Sequence, residues 1–326
     1  MVELMVGAAL GLLLMAGAIG IFVSSKQVYR TEDALSRNQE NGRFAMDFLV
    51  RKTRQAGFTG CGNLEDIEVN VIANDPPTDG FSLNSTLVGY DGDGTNGAGG
   101  AWINPTTIVR VAGSDILTIG SGGDCAADLT GNLDVDTAQL QITGGSACKF
   151  KQNDALLITD CQMADLFRAS SVSAATDKIN IAHAENVNSA NFLSKLYQKG
   201  ATVLAFNHTT YFIGTADGSL NPSLYRLELG GTAEPLVENI QDMQLEYGVD
   251  NENDGLVDSY QSASAVTDWT RVLGVRVNLL VRSDDNITLE PRTVAFNGTD
   301  VNAGLGADRR LRTIFNTTVA VRNRVP

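Results

Sequence analysis

The densest chemistry in this sequence is carboxylate. Residues 250–258 read DNENDGLVD, so Asp250, Glu252, Asp254 and Asp258 place side-chain oxygens at near-alternate positions, with Gly255 sixth. A loop that turns its carboxylates inward around a hard cation needs this spacing, with the Leu256 carbonyl as a further ligand, so the stretch admits Ca²⁺. Gln261 stands twelfth, where a bidentate Glu would close the shell, and no helical pattern flanks the run. A solvated turn between two strands is the competing reading. A second run, Asp91–Asn96 (DGDGTN), has two carboxylates among glycines and reads as a flexible surface loop.

Catalytic patterns are missing. The sequence has no G-x-S-x-G, P-loop or HExxH motif, and its only histidines, His183 and His208, lie far apart. The GSGG stretch at Gly120–Gly123 sits among turn residues, opens no helix and reads as a loop. Trp102 and Trp269 read as core. The chain is expected not to be an enzyme. Its formal net charge of -14 argues against non-specific nucleic-acid binding, which requires phosphate neutralisation. No two of the four cysteines, Cys61, Cys125, Cys148 and Cys161, form a CxxC pair, which removes a zinc ribbon or thioredoxin-like site.

One carboxylate stands apart. Glu3 opens a run, Leu4–Val23, of twenty residues without a charge. At about 1.5 Å per residue the run spans the roughly 30 Å of a bilayer core. Lys26 and Arg30 mark its edge. A cleaved signal peptide fits poorly: no basic region precedes the run, it exceeds a signal's apolar length, and no A-x-A-like site clearly follows. A single-pass anchor fits better but gains nothing from Glu3, because a carboxylate at the membrane edge is costly unless paired. A subunit whose neighbour presents a positive group at that depth does gain from it.

The element that positions Glu3 extends past the membrane segment. No proline occurs before Pro76, and Val28, Leu35, Ala45, Phe48 and Leu49 recur near helical spacing, with charged residues on the other faces. Glu40–Arg43 and Asp47–Arg51 are spaced to pair within one turn. Gly57 is the first stop signal. The pattern predicts one helix of about 53 residues, roughly 80 Å long, apolar all round in its first half and amphipathic in its second.

These residues carry a resemblance. The opening MVELMVGAALGLLLMAGAIGIFVSSKQVYRTEDALSRNQENGRFAMDFLVRKTRQAGFTGC resembles the mature N-terminus of type IV pilin-like proteins, and within them the PilW family of minor pilins. The ELM opening, S-x-x-x-Y-R-T, NQENGRFA and AGFTGC carry the likeness. So do the ending RRLRTIFNTTVAVRNRVP and, between them, PLVENIQDMQLEYGVD (Pro235–Asp250) and VLGVRVNLLVRS (Val272–Ser283), which PilW-like and GspJ-type proteins share. In the family a basic leader is removed before an aromatic residue that is then N-methylated; this sequence begins slightly inside that end.

The resemblance implies an α+β pilin fold: a helical unit, residues 1–56, with residues 1–25 as the transmembrane and filament-core segment, carrying a large β-rich head, residues 57–326. It implies assembly through Glu3, which in the family pairs with a neighbour's terminal amine. The implied partners are other pilin subunits packed through their N-terminal helices, the inner-membrane assembly platform, the prepilin peptidase and, before assembly, the membrane. The implied location is the inner membrane with a periplasmic head, then the pilus at the cell surface, in a filament of the kind used for adhesion and twitching motility. A minor pilin would prime assembly or cap the tip. A major filament subunit, a GspJ-like pseudopilin and a membrane-tethered binding protein are the alternatives.

After Gly57 short apolar runs alternate with Gly, Asn, Asp, Ser and Thr. Strands are expected at Thr86–Tyr90, Thr107–Val111, Asp115–Ile119, Gln139–Thr143, Ala155–Thr159, Leu166–Val172 and Lys178–Ile181. Others are expected at Thr202–Phe206, Thr210–Ile213, Ser223–Leu229, Met243–Val249, Thr270–Arg282 and Arg312–Val321, with insertions around Asp91–Ala101 and Gly120–Asp136. An even number of cysteines behind an export-type N-terminus implies two disulfides. The family likeness favours Cys61–Cys161, leaving Cys125–Cys148; Cys148–Cys161 with Cys61–Cys125 is the competitor.

Overall fold

The computed structural model describes residues 2–58, 67–74, 86–102, 104, 106–144, 148–175, 177–216, 219, 221–304 and 306–324. Helix α1 runs from Val2 to Arg54, 53 residues, as its proline-free periodicity requires. It ends where expected. Gly57 takes φ +75°, a left-handed conformation that glycine adopts without steric cost, and its N–H donates to the Gly120 carbonyl (2.9 Å), handing the chain to the head.

The head is built from strands, in chain order β1 (Glu68–Val71), β2 (Leu87–Tyr90), β3 (Val109–Arg110), β4 (Ile116–Asp128), β5 (Leu140–Thr143) and β6 (Ala155–Thr159). Then come β7 (Met163–Arg168), β8 (Ser171–Ala174), β9 (Lys178–Ala182), β10 (Thr202–Thr215), β11 (Ser223–Glu228) and β12 (Glu234–Glu238). The last are β13 (Ile240–Val249), β14 (Ser259–Gln261), β15 (Val272–Asn286), β16 (Val294–Phe296), β17 (Thr299–Val301) and β18 (Arg310–Ala320). The result is one long apolar helix on a large β-rich head, an α+β pilin-like fold.

Two sheets matter most. The larger is ordered β1-β7-β6-β10-β11-β12, with β2, β3 and β4 joining through β4 and β10. The smaller, β14-β13-β15-β18, is antiparallel throughout. Its register places Met243, Leu245 and Tyr247 beside Leu279, Val277 and Val275, which in turn neighbour Phe315, Thr317 and Val319. Cross-strand neighbours share a face, so these form one surface, and the core joins it to Ala45 and Leu49 of α1, to Ala56 just past the helix and to β2, β4 and β10. Ala45, Phe48 and Leu49 of α1 thus pack between the two sheets, whereas Val28, Leu35 and Phe44, also in its second half, stay exposed. A separate core gathers Leu140, Ile142, Phe167, Ile181 and Tyr197 around the three-stranded sheet β5-β9-β8.

Several expectations need correction. The GSGG stretch is no loop: it lies inside β4, with Gly120, Ser121 and Gly122 paired to His208, Asn207 and Phe206 of β10. Glycine is a poor strand former, but a long neighbouring strand that offers backbone partners outweighs that preference. The same ladder makes Thr202–Phe206 and Thr210–Ile213 one strand, β10, and absorbs the start of the expected insertion at 120–136 into β4. The expected strand Leu166–Val172 is divided between β7 and β8, and Thr270 lies in a short 3₁₀ turn before β15.

Candidate functional site

Every described residue of α1 from Val2 to Lys26 is exposed, including Leu4 (79%), Leu14 (74%), Ile21 (71%) and Phe22 (69%). A helix of this length and hydropathy, with none of its apolar window buried by its own chain, is long and apolar enough to cross a membrane or to be covered by other helices. Glu3 sits in its first turn, exposed.

The rest of α1 is locked to the head along a line of contacts. Gln27 Nε2 donates to the Ile287 carbonyl. Asn38 Nδ2 reaches the Leu311 carbonyl (3.2 Å) and Asn41 Nδ2 that of Glu238 (3.1 Å). At Gly42 the Phe315 ring lies so close that a Cβ would overlap it. Asn323 Nδ2 donates to the Ala56 carbonyl (2.9 Å) at the far end. Leu311 and Phe315 of β18 meet helix residues 38 and 42, and Asn323 beyond the strand meets Ala56 just past the helix, so β18 climbs beside α1. The residues α1 buries, Ala34, Asn38, Gly42, Ala45, Leu49 and Thr53, are small except for Asn38 and Leu49, which lets the helix backbone approach the sheet. Asp33–Arg37 (3.1 Å) and Asp47–Arg51 (3.0 Å) pair on its solvent side. The Asp47–Arg51 pair is one of the two the spacing allowed.

Cys125 and Cys148 form a disulfide with Cα atoms 5.4 Å apart, joining β4 to the segment before β6. Cys161 is disulfide-bonded too, in a left-handed conformation (φ +68°). Cys61 lies outside the described residues.

The acidic loop 250–258 does not gather its carboxylates around a common centre. Among the described residues no group of three or more His, Cys, Asp or Glu side chains is placed to hold a metal ion. The oxygens instead bind backbone amides of their own loop. Asp250 accepts from Asp254 N (3.2 Å) and Gly255 N (2.8 Å). Asp258 accepts from Asn251 N (2.7 Å) and Glu252 N (3.2 Å), and Asp254 from Leu256 N (2.9 Å). Partial burial works to raise the Asp250 pKa, but the amides of Gly255, Asp254 and Asn253 outweigh it and the pKa is lowered. Glu252 and the Leu256 side chain point to solvent. These bonds have a physical reason: Asp and Asn side chains readily accept from backbone N–H groups a few residues on.

The Asp91–Asn96 stretch is likewise no free surface loop. Asp91 accepts from Ala263 N and Ser264 N (2.9 Å each), and Asp93 caps Thr95. His183 is buried, with Nε2 2.9 Å from the Ala138 carbonyl; His208 is buried, and desolvation lowers its pKa to about 4. Trp102 and Trp269 are core residues.

Two buried carboxylates had no sequence signal. Asp165 accepts from Asn70, from the N–H and hydroxyl of Ser194 and from the Tyr197 hydroxyl, tying three distant segments together. Asp115 accepts from Leu245 N (2.8 Å) across the two sheets; burial, opposed by that amide and reinforced by Asp91 and Asp242, raises its pKa to about 7. Both hold separate segments of the head together.

The described geometry is an exposed apolar helical segment continuous with a stretch seated on the head. Residues 210–323 match the model of the family Type IV Pilus-assembly protein W. No curated protein and no solved structure matches the chain. The matched residues run from the middle of β10 past the end of β18, and so contain the whole sheet on which α1 is seated. Over those residues the chain is similar to the type IV pilus-assembly protein W family.

Proposed function

We propose that this chain is a minor pilin, which primes filament assembly or sits at the tip and joins other subunits through α1. One observation carries the reading: residues 4–23 are apolar and exposed, while the same rod, from Ala34 on, is seated on the head. Such a helix needs lipid before assembly and other subunits' helices afterwards. We place the head in the periplasm while the helix spans the inner membrane, and on the cell surface in the filament. Extraction by the assembly platform and trimming by the prepilin peptidase follow from the same reading. Glu3 is the docking carboxylate: it has no intrachain ion pair among the described residues, and at membrane depth it is favourable only against a neighbour's positive group.

The test is replacement of Glu3 by Ala in a cell that assembles the filament. The head should fold and reach the membrane normally, while the variant is absent from sheared filaments. Incorporation at the unsubstituted level would refute the docking role. Quantifying the chain against the other subunits in isolated filaments checks the minor role; a chain that makes up most of the filament mass would be a major subunit.

A further inference from the structure

We propose that the loop following β15 seats Leu289 in the headgroup layer of the bilayer that holds α1, giving the head a second, shallow membrane contact. The proposal rests on the reading that α1 spans the membrane before assembly.

The uncharged run ends at Val23. Gln27 lies four residues on, a rise of about 6 Å. A bilayer core of roughly 30 Å grows to about 40–45 Å with its headgroups, so that layer is about 5–7 Å thick on each side. The Gln27 side chain holds the Ile287 carbonyl at this level. Leu289 is two residues away, within about 7 Å along the chain.

The segment is also fixed. Ile287 is buried, and Ile287 N and Thr288 N both donate to the Arg309 carbonyl (2.8 and 2.9 Å). The Thr288 hydroxyl bonds the Glu290 and Arg309 carbonyls (2.7 and 3.0 Å). Between these anchored residues Leu289 is 79% exposed, as exposed as Leu4 in the apolar helix. An isolated exposed leucine ordinarily requires no explanation. This one is held rigidly at a level where lipid begins. Lys26 stands on α1 within the same layer, about 4–5 Å past Val23, and has no ion pair among the described residues. Leu256, also exposed (66%), is the natural control: its loop follows β13 at the opposite end of the head, beside Arg271.

The experiment uses the full chain in vesicles of phosphatidylcholine with a minority of phosphatidylglycerol. No cysteine is free among the described residues, so one introduced cysteine can carry an environment-sensitive dye. The dye is placed by Glu290→Cys, by Leu256→Cys and, as a reference within the bilayer, by Gly20→Cys. Lipids spin-labelled in the headgroup should quench the dye at 290 several-fold more than the dye at 256, and adding Leu289→Asp should reduce the first to the level of the second. Equal quenching at 290 and 256, or quenching at 290 that Leu289→Asp leaves unchanged, would overturn the proposal. Failure of acyl-chain-labelled lipid to quench the dye at 20 would overturn the membrane-spanning reading itself, and the loop contact with it.

Discussion

Asp115 has no motif around it, and its importance comes from what the fold puts beside it. The folded pKa of about 7 stands above the usual 3.8, so the folded state holds this proton more tightly than the unfolded chain does. Its stabilising contribution is therefore complete below pH 4 and is lost as pH rises through about 7. The span corresponds to at most roughly 4 kcal/mol. Asp115→Asn keeps an acceptor for the Leu245 amide and cannot ionise. The expected result is a variant with stability close to the parent near pH 4, more stable than the parent above pH 7, and with a flatter pH profile between. Urea melts at a series of pH values check this; parallel profiles for the two proteins would show that Asp115 is ionised throughout. Glu3 was legible from the sequence because an apolar background isolates it. Asp115 and Asp165 were not, because their partners lie 130 and up to 95 residues away.

At the scale of elements, helix and sheet depend on close approach. Gly42 costs α1 about 1 kcal/mol of helix propensity relative to Ala, yet the Phe315 ring occupies the space a Cβ would need. Overpacking of this kind costs about 1–3 kcal/mol. Gly42→Ala should therefore lower the thermal midpoint, whereas Gly42→Ala combined with Phe315→Ala should be no less stable than Phe315→Ala alone. A double-mutant cycle measures the coupling, and additivity of the two changes would place the clash elsewhere. The acidic loop yields the opposite kind of lesson. Its spacing was readable as a cation loop, but spacing leaves open whether carboxylates turn to an ion or to their own amides. With Asp250, Asp254 and Asp258 bound to backbone N–H groups, the midpoint should be the same in millimolar Ca²⁺, in Mg²⁺ and in EGTA. Asp250→Ala should lower it equally in all three. A midpoint raised by Ca²⁺ alone would mean that the loop reopens around the ion.

The whole molecule divides its labour along α1. Residues before Lys26 add nothing to the head's core, so the protein shortened to residues 24–326 should stay folded, soluble and monomeric by sedimentation. Reduction should then lower its stability, because Cys125–Cys148, at a sequence separation of 23, closes a loop worth roughly 3 kcal/mol in the chain-entropy model. An unchanged melting curve after complete reduction would show that the bond constrains little of the unfolded chain. The sequence by itself determined the helix, its length and its end at Gly57, because the signals are local: periodicity, a proline-free stretch and one glycine. It determined the exposed apolar segment and Glu3 for the same reason, and most strand positions from short apolar runs. Only the tertiary structure decided that GSGG is strand, that two expected strands are one, and that the acidic loop closes on itself. Each depends on which backbone groups lie opposite, and in β-proteins those partners are remote in sequence. The seat of α1 on β18 and the placement of Leu289 at the level of Gln27 are of the same kind: they join residues about 260–270 positions apart, and no local pattern encodes that distance.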